Sequence, residues 1–205
     1  VYVNGRQTDS GDCSGPRSAR NVLMHPDVDV AVFETARGGM LREGLAYDRC
    51  QVGVVTRMPK ANGLDDLFAG HDEKMPDYLR TQIDVVLPTG TAVLNAADPL
   101  VADLAKYCDG STLLYADDPH NARLEAHLAE GGRAAFWRDG QLVLRQEQRE
   151  HLVLSAKRPA VARLLQDGRL NTDDMLVAAS VAWALDISTD LIRAGVKSFG
   201  QSTAY

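Results

Sequence analysis

The stretch Glu34 to Asp48, ETARGGMLREGLAYD, places a carboxylate, two arginines and a glycine pair in quick succession. A carboxylate is the hard oxygen ligand that Mg2+ takes alongside phosphate oxygens. Arg37 and Arg42 carry forked donors that match anionic groups bidentately. Gly38 and Gly39 let the backbone approach a ligand closely. The chemistry on offer is metal-assisted handling of an anion, with Glu34 as the metal ligand and Arg37 and Arg42 as the groups facing the reaction. The plainer alternative is a strand-to-helix turn with solvated charges. Three shorter stretches add polar groups. GDCSGP (Gly11–Pro16) could line an anion or metal site, or be a turn. In NAADP (Asn95–Pro99), Asn95 could read a base edge and Asp98 a ribose, or the pair could form an Asx turn capping the next helix. NTDD begins at Asn171 and ends at Asp174; its simplest role is an N-cap.

These residues need a scaffold. Asp29 to Thr35 (DVAVFET) reads as a short buried strand that ends at Glu34 and its neighbour. Gln51–Met58, Thr91–Asn95 and Ser111–Tyr115 are further apolar, β-branched runs. Pro99 to Tyr107 is a helical pattern between the last two, and Pro16 to Met24 suits a short helix. Strands alternating with helices predict an α/β fold with a mainly parallel sheet flanked by helices. In such sheets ligands sit beyond the carboxyl ends of the strands, where Glu34, Asn95 and Asp98 are expected. The pattern then changes. Ala134–Trp137 and Gln141–Leu144 flank Arg138-Asp139-Gly140, and Asp-Gly between apolar runs predicts a β-hairpin. His151–Ser155 suits a strand, and Asp173–Leu185 and Thr189–Ser198 suit helices, the second with Ser188 as its cap. Pro59 to Pro76 reads as a long polar loop.

The 205 residues suit one domain, 1–205, and 45% hydrophobic residues suffice for a core. A formal net charge of −6 without a basic run argues against a nucleic-acid or anionic-membrane partner. Cys13, Cys50 and Cys108 form no CxxC pair, so reduced cytoplasmic thiols are expected rather than a disulfide framework or a zinc knuckle. The five histidines suggest no metal set, although His120 and His127 could share a helix face. No apolar run is long enough to span a bilayer, and no charged-then-apolar leader opens the chain.

ETARGGMLREGLAYDRC followed by VGVVT strongly resembles the Mur-ligase-like domain of the cyanophycin synthetase family. GDCSGPRSARNVL before it, LPTGTAVLNAADPLVADLAKYCDG after it and the helical region 171–199 are similar in the same order, so the resemblance covers most of the chain. ARGGxLREGL with a following NAADP is far more specific than either alone. The resemblance implies a Mur-ligase central-domain fold with a P-loop-type core. It implies an ATP-dependent ligase that joins arginine or aspartate to the cyanophycin polymer through an acyl phosphate. ATP and Mg2+ are the implied cofactors; the amino acid and the polymer are the implied partners, in a homo-oligomer.

Carried over by position, Glu34 becomes the strand-end Mg2+ ligand. Asn171 becomes the first Asn of an NxxN pair that contacts adenine, with Asp174 where the second Asn stands, which removes an amide donor. Thr56 matches the Thr of a TNxxxDHLG stretch, but Arg57, Asn62 and Gly63 replace its Asn, Asp and His. His71 or Asp72 could substitute for that His. Leu79 stands near the place of a lysine common in Mur-type enzymes. GxxxxGK[ST] occurs nowhere in the chain, so the family's phosphate loop is expected before residue 1 and its C-terminal domain after Tyr205. The chain alone is then expected to be inactive. The competing expectations are a degenerate, non-catalytic Mur-like domain serving assembly or polymer binding, and a Mur-type fold with a different substrate such as a folylpolyglutamate or peptidoglycan precursor.

Overall fold

The computed structural model describes residues 1–3, 6–11, 13–35, 37–58, 74–168 and 170–201. They divide into two compact units, one within Val1–Arg49 and a larger one that starts at Cys50.

The larger unit is built on a six-stranded sheet of order β3-β4-β5-β6-β7-β8: β3 (Cys50–Val55), β4 (Val86–Asn95), β5 (Ser111–Ala116), β6 (Arg133–Arg138), β7 (Gln141–Gln146) and β8 (Arg149–Ser155). The pairs from β3 to β6 are parallel, and β6-β7-β8 is an antiparallel meander. The sheet is therefore mixed, parallel in its first four strands. The parallel part forms because β3, β4 and β5 are apolar enough to be covered on both faces; Ala92, Val93, Leu94 and Leu113 are fully buried. The meander follows from one dipeptide. Asp139 and Gly140 both take positive φ, 53° and 74°, as a two-residue turn that matches strand twist requires, and Arg138 then pairs with Gln141.

Helices α3 (Met75–Asp84), α4 (Pro99–Ala102), α5 (Ala122–Ala129), α6 (Pro159–Gln166), α7 (Thr172–Ala184) and α8 (Thr189–Gln201) flank this sheet. The main core lies where α6, α7 and α8 meet it: Met175, Leu176 and Ala179 of α7 pack with Leu142, Leu144, Trp137 and Tyr115. The helical pattern expected over 99–107 divides into α4 and a 3-10 turn at Asp103–Tyr107. Gly110 sits where strands crowd: a β-carbon there would lie 2.4 Å from the Gly90 carbonyl oxygen and 2.6 Å from that of Leu87.

The smaller unit holds a two-residue pair, β1 (Tyr2–Val3) with β2 (Arg6–Gln7), and two short helices, α1 (Pro16–Leu23) and α2 (Arg37–Glu43). The strand expected at 29–35 is not formed: residues 29–35 are irregular, and Val30 and Val32 are 71% and 87% exposed. A strand is held by a neighbour's backbone hydrogen bonds, and no described strand pairs with this segment. Most of the loop expected over 59–76 lies outside the described residues; its last two, Met75 and Pro76, begin α3.

Candidate functional site

In the smaller unit, Glu34 is exposed and lines a cleft of about 580 Å3 whose walls include Gly11, Cys13 and Ser14 of the GDCSGP loop and Val28–Phe33. That volume falls in the range of small-molecule sites. Two glycine motifs meet beside it. A β-carbon on Gly39 would lie 3.6 Å from Gly15 Cα and 3.7 Å from Pro16 Cδ, so the turn into α2 packs on the start of α1. The ring of Phe33 stacks on Tyr47, with centroids 5.9 Å apart, and Met40 is buried. Glu34 thus leaves an irregular segment anchored next door at Phe33, where the sequence pattern expects the end of a buried strand. Arg37 opens α2. Arg42 is exposed in its last turn, where a cation suits the helix dipole.

In the larger unit, the carboxyl ends of β3, β4 and β5 meet the start of α7 and form a polar rim. Asn95 donates through Nδ2 to the Thr56 carbonyl (2.9 Å) and accepts at Oδ1 from the Ala97 amide (2.9 Å). Asp98 caps α4 by accepting at Oδ1 from the Leu100 and Val101 amides, while its Oδ2 accepts from the Met58 amide at 2.6 Å. The Asx-turn alternative for NAADP is therefore realised, with an added link to the segment after β3. Asn171 and Asp174 form a capping box on α7: Asn171 Oδ1 accepts from the Asp174 amide at 2.7 Å, and Asp174 Oδ2 from the Asn171 amide at 3.2 Å. This engages one oxygen of the Asp174 carboxylate, and among the described residues no partner is recorded for the Asn171 amide nitrogen.

Other rim residues carry weaker sequence signals. Tyr115 is buried, and its hydroxyl lies 3.5 Å from the Thr56 carbonyl. Burial pushes that hydroxyl well above the ordinary tyrosine range; the Asp173, Asp117 and Asp98 carboxylates add to this and Arg57 opposes it. Asp173 is raised above the usual carboxylate range by desolvation first and by Asp117 and Asp174 next, with Arg57 again opposing. The Thr172 hydroxyl donates to Asp117 at 3.3 Å, and Trp137 Nε1 donates to the Thr172 carbonyl at 3.2 Å. Arg57, Asp98, Asp117 and Asp173 therefore share one electrostatic neighbourhood around Tyr115. Tyr115 belongs to the run STLLY, where a tyrosine reads as core; only its place at a strand's carboxyl end marks it.

Among the described residues, no group of three or more His, Cys, Asp or Glu converges to hold a metal ion. His120 approaches Glu125 (3.4 Å), and His127 approaches the Thr112 carbonyl (3.2 Å). Leu79 is buried in α3. Asn62, Gly63, His71 and Asp72 lie outside the described residues.

Three curated proteins align along almost all of the chain. Cyanophycin synthetase of Synechocystis sp. is 34% identical over 98% of the chain, that of Geminocystis herdmanii 35% over 97%, and that of Crocosphaera subtropica 33% over 98%. Over nearly its whole length, this chain matches a stretch of cyanophycin synthetases. The chain spans only 22–23% of the length of those relatives. No family model matches it. These relatives agree with the ligase family indicated by ETARGGMLREGL and NAADP. No helix among the described residues is long and apolar enough to cross a membrane.

Proposed function

We propose that this chain is the nucleotide-handling segment of an ATP-dependent amide ligase of the cyanophycin synthetase type, acting in the complete protein that carries it. The observation that carries this reading is the alignment of almost the whole chain with cyanophycin synthetases at 33–35% identity. The chemistry that ATP supplies when bound is phosphoryl transfer to a carboxylate, which an amine then attacks.

The chain's own groups suit that work. Glu34, exposed at the cleft, offers the single carboxylate that Mg2+ commonly takes from protein when phosphates and waters complete its shell. Its donor set fits Mg2+ and, being one carboxylate, does not form an all-protein cage. Arg42 offers a cationic fork for anionic groups in the last turn of α2, the helix that Arg37 opens. Asn171 keeps an amide donor for a base edge while its oxygen caps α7. The substrates in this reading are an amino acid, arginine or aspartate, and the cyanophycin polymer, in a cytoplasmic homo-oligomer.

A second reading, a non-catalytic Mur-like domain kept for assembly or polymer binding, is favoured by one oxygen of the Asp174 carboxylate being committed to the capping box. Calorimetry separates the two. The complete protein should bind Mg–ATP, and Glu34→Ala should weaken that binding at least about tenfold, as expected for loss of a charged contact. Absence of Mg–ATP binding in the wild type would favour the second reading.

A further inference from the structure

Residues 29–34 of the smaller unit make no backbone hydrogen bond with any described residue. Each carries a donor and an acceptor that need a partner. Their exposure still runs with the period of a strand: Val30, Val32 and Glu34 are exposed, while Ala31, Phe33 and Thr35 are half-buried. Phe33 holds the inner side by stacking on Tyr47. On the outer side, Val32 is the most exposed large hydrophobic residue among those described, and Val30 is close behind. The segment forms one wall of the cleft of about 580 Å3, whose other walls include Tyr2 and Val3 of β1 and Ala19 and Val22 of α1. Water filling this cleft satisfies the backbone groups but leaves two valines exposed to it. A small molecule meets only one or two of the backbone groups. A strand laid alongside does both: it supplies donors and acceptors at strand spacing over roughly 20 Å, and it covers β-branched side chains. No described strand pairs with this segment. The chain spans only 22–23% of the relatives it matches, so the complete protein has ample chain to supply one.

We propose that residues 29–34 are a strand receptor: in the complete protein an apolar, β-branched segment from outside residues 1–205 lies in the cleft, pairs with this backbone and turns DVAVFET into a strand. The proposal stands apart from the ATP-ligase reading, because it rests on backbone groups and valines that reading does not use. Glu34 keeps its place at the end of the paired segment.

Amide hydrogen exchange on the complete wild-type protein tests the pairing. A neighbouring strand bonds every second residue, so alternate amides within residues 30–34 should exchange at least about a hundredfold more slowly than in an unstructured chain. Exchange at the unstructured rate throughout overturns the proposal. Val32→Asp gives a second readout. An exposed valine tolerates that change, whereas one covered by a strand does not, so the melting temperature of the complete protein should fall by about 5 °C or more. An unchanged melting temperature overturns the covering of Val32. A photoactivatable phenylalanine analogue in place of Tyr2, a close match in size on the cleft wall, identifies the occupant. Its cross-link should map to a segment of the same molecule outside residues 1–205. A cross-link within residues 1–205, or to a second copy in a mixture of isotope-labelled and unlabelled protein, overturns the assignment. None of these measurements needs turnover, so a protein that uses no ATP would end the ligase reading and leave this one to be decided by exchange and cross-linking.

Discussion

Asp173 shows how the rim sets the properties of one residue. It lies in the first turn of α7, where the helix dipole favours an anion, yet desolvation and the Asp117 and Asp174 carboxylates raise its pKa. A carboxylate whose pKa is raised by folding binds more protons in the folded than in the unfolded protein. Its contribution is therefore most favourable at low pH and declines as pH rises through the carboxylate range. Asp173→Asn removes this titration. The stability of the variant relative to wild type should increase between about pH 3 and pH 6, around the ordinary aspartate pKa. Thermal melts of both proteins across that range check it; a difference that does not change with pH, or that changes in the opposite sense, contradicts the electrostatic account of the rim. Tyr115 belongs to the same neighbourhood but stays neutral throughout this window, since its hydroxyl is pushed upward.

Among the elements, α7 depends most visibly on its first residues. Its Asn171–Asp174 capping box satisfies backbone groups at both positions, and the helix carries Met175, Leu176 and Ala179 into the core. Asn171→Ala should cost about 1 kcal/mol, measured as a shift in the denaturant midpoint at unchanged slope. A change within error would mean that the packing of α7 alone sets its start. Much of this layer was legible in the sequence. Asp139-Gly140 specified the β6–β7 hairpin because that dipeptide tolerates positive φ at both places. Apolar, β-branched runs marked β3, β4 and β5, although β4 begins at Val86, earlier than its most apolar part suggests. Helices α3, α5 and α6 were harder to read because they are short: α5 buries Leu124 alone and α6 only Val161 and Leu164, while α3, with Met75, Leu79 and Ile83 at helical spacing, follows directly on a polar stretch. DVAVFET failed as a strand for the opposite reason: its pattern is right, but pattern supplies no partner strand. The positions of Asn95 and Asp98 at a strand end were legible; their use as links to Thr56 and Met58 was not, because that depends on which strand lies alongside β4.

For the molecule as a whole, the mixed sheet fixes the polar rim of the larger unit, and the smaller unit carries Glu34 on its own cleft. The motifs that carry the resemblance, ARGGMLREGL and NAADP, lie one in each unit. The aligned stretch is under a quarter of the cyanophycin synthetases it matches, so activity is a property to be sought in the complete protein. Glu34 tests it most directly, because an exposed carboxylate at a cleft contributes little to packing and its loss should spare the fold. The measurement is ATP-dependent joining of an amino acid to cyanophycin by the complete protein, wild type against Glu34→Gln, with the melting temperature recorded for both. The account predicts that wild type ligates, and that Glu34→Gln loses at least about a hundredfold in kcat/KM, roughly 2.7 kcal/mol of transition-state stabilisation, with little change in melting temperature. Full activity in Glu34→Gln, or activity that falls only in step with stability, would contradict it.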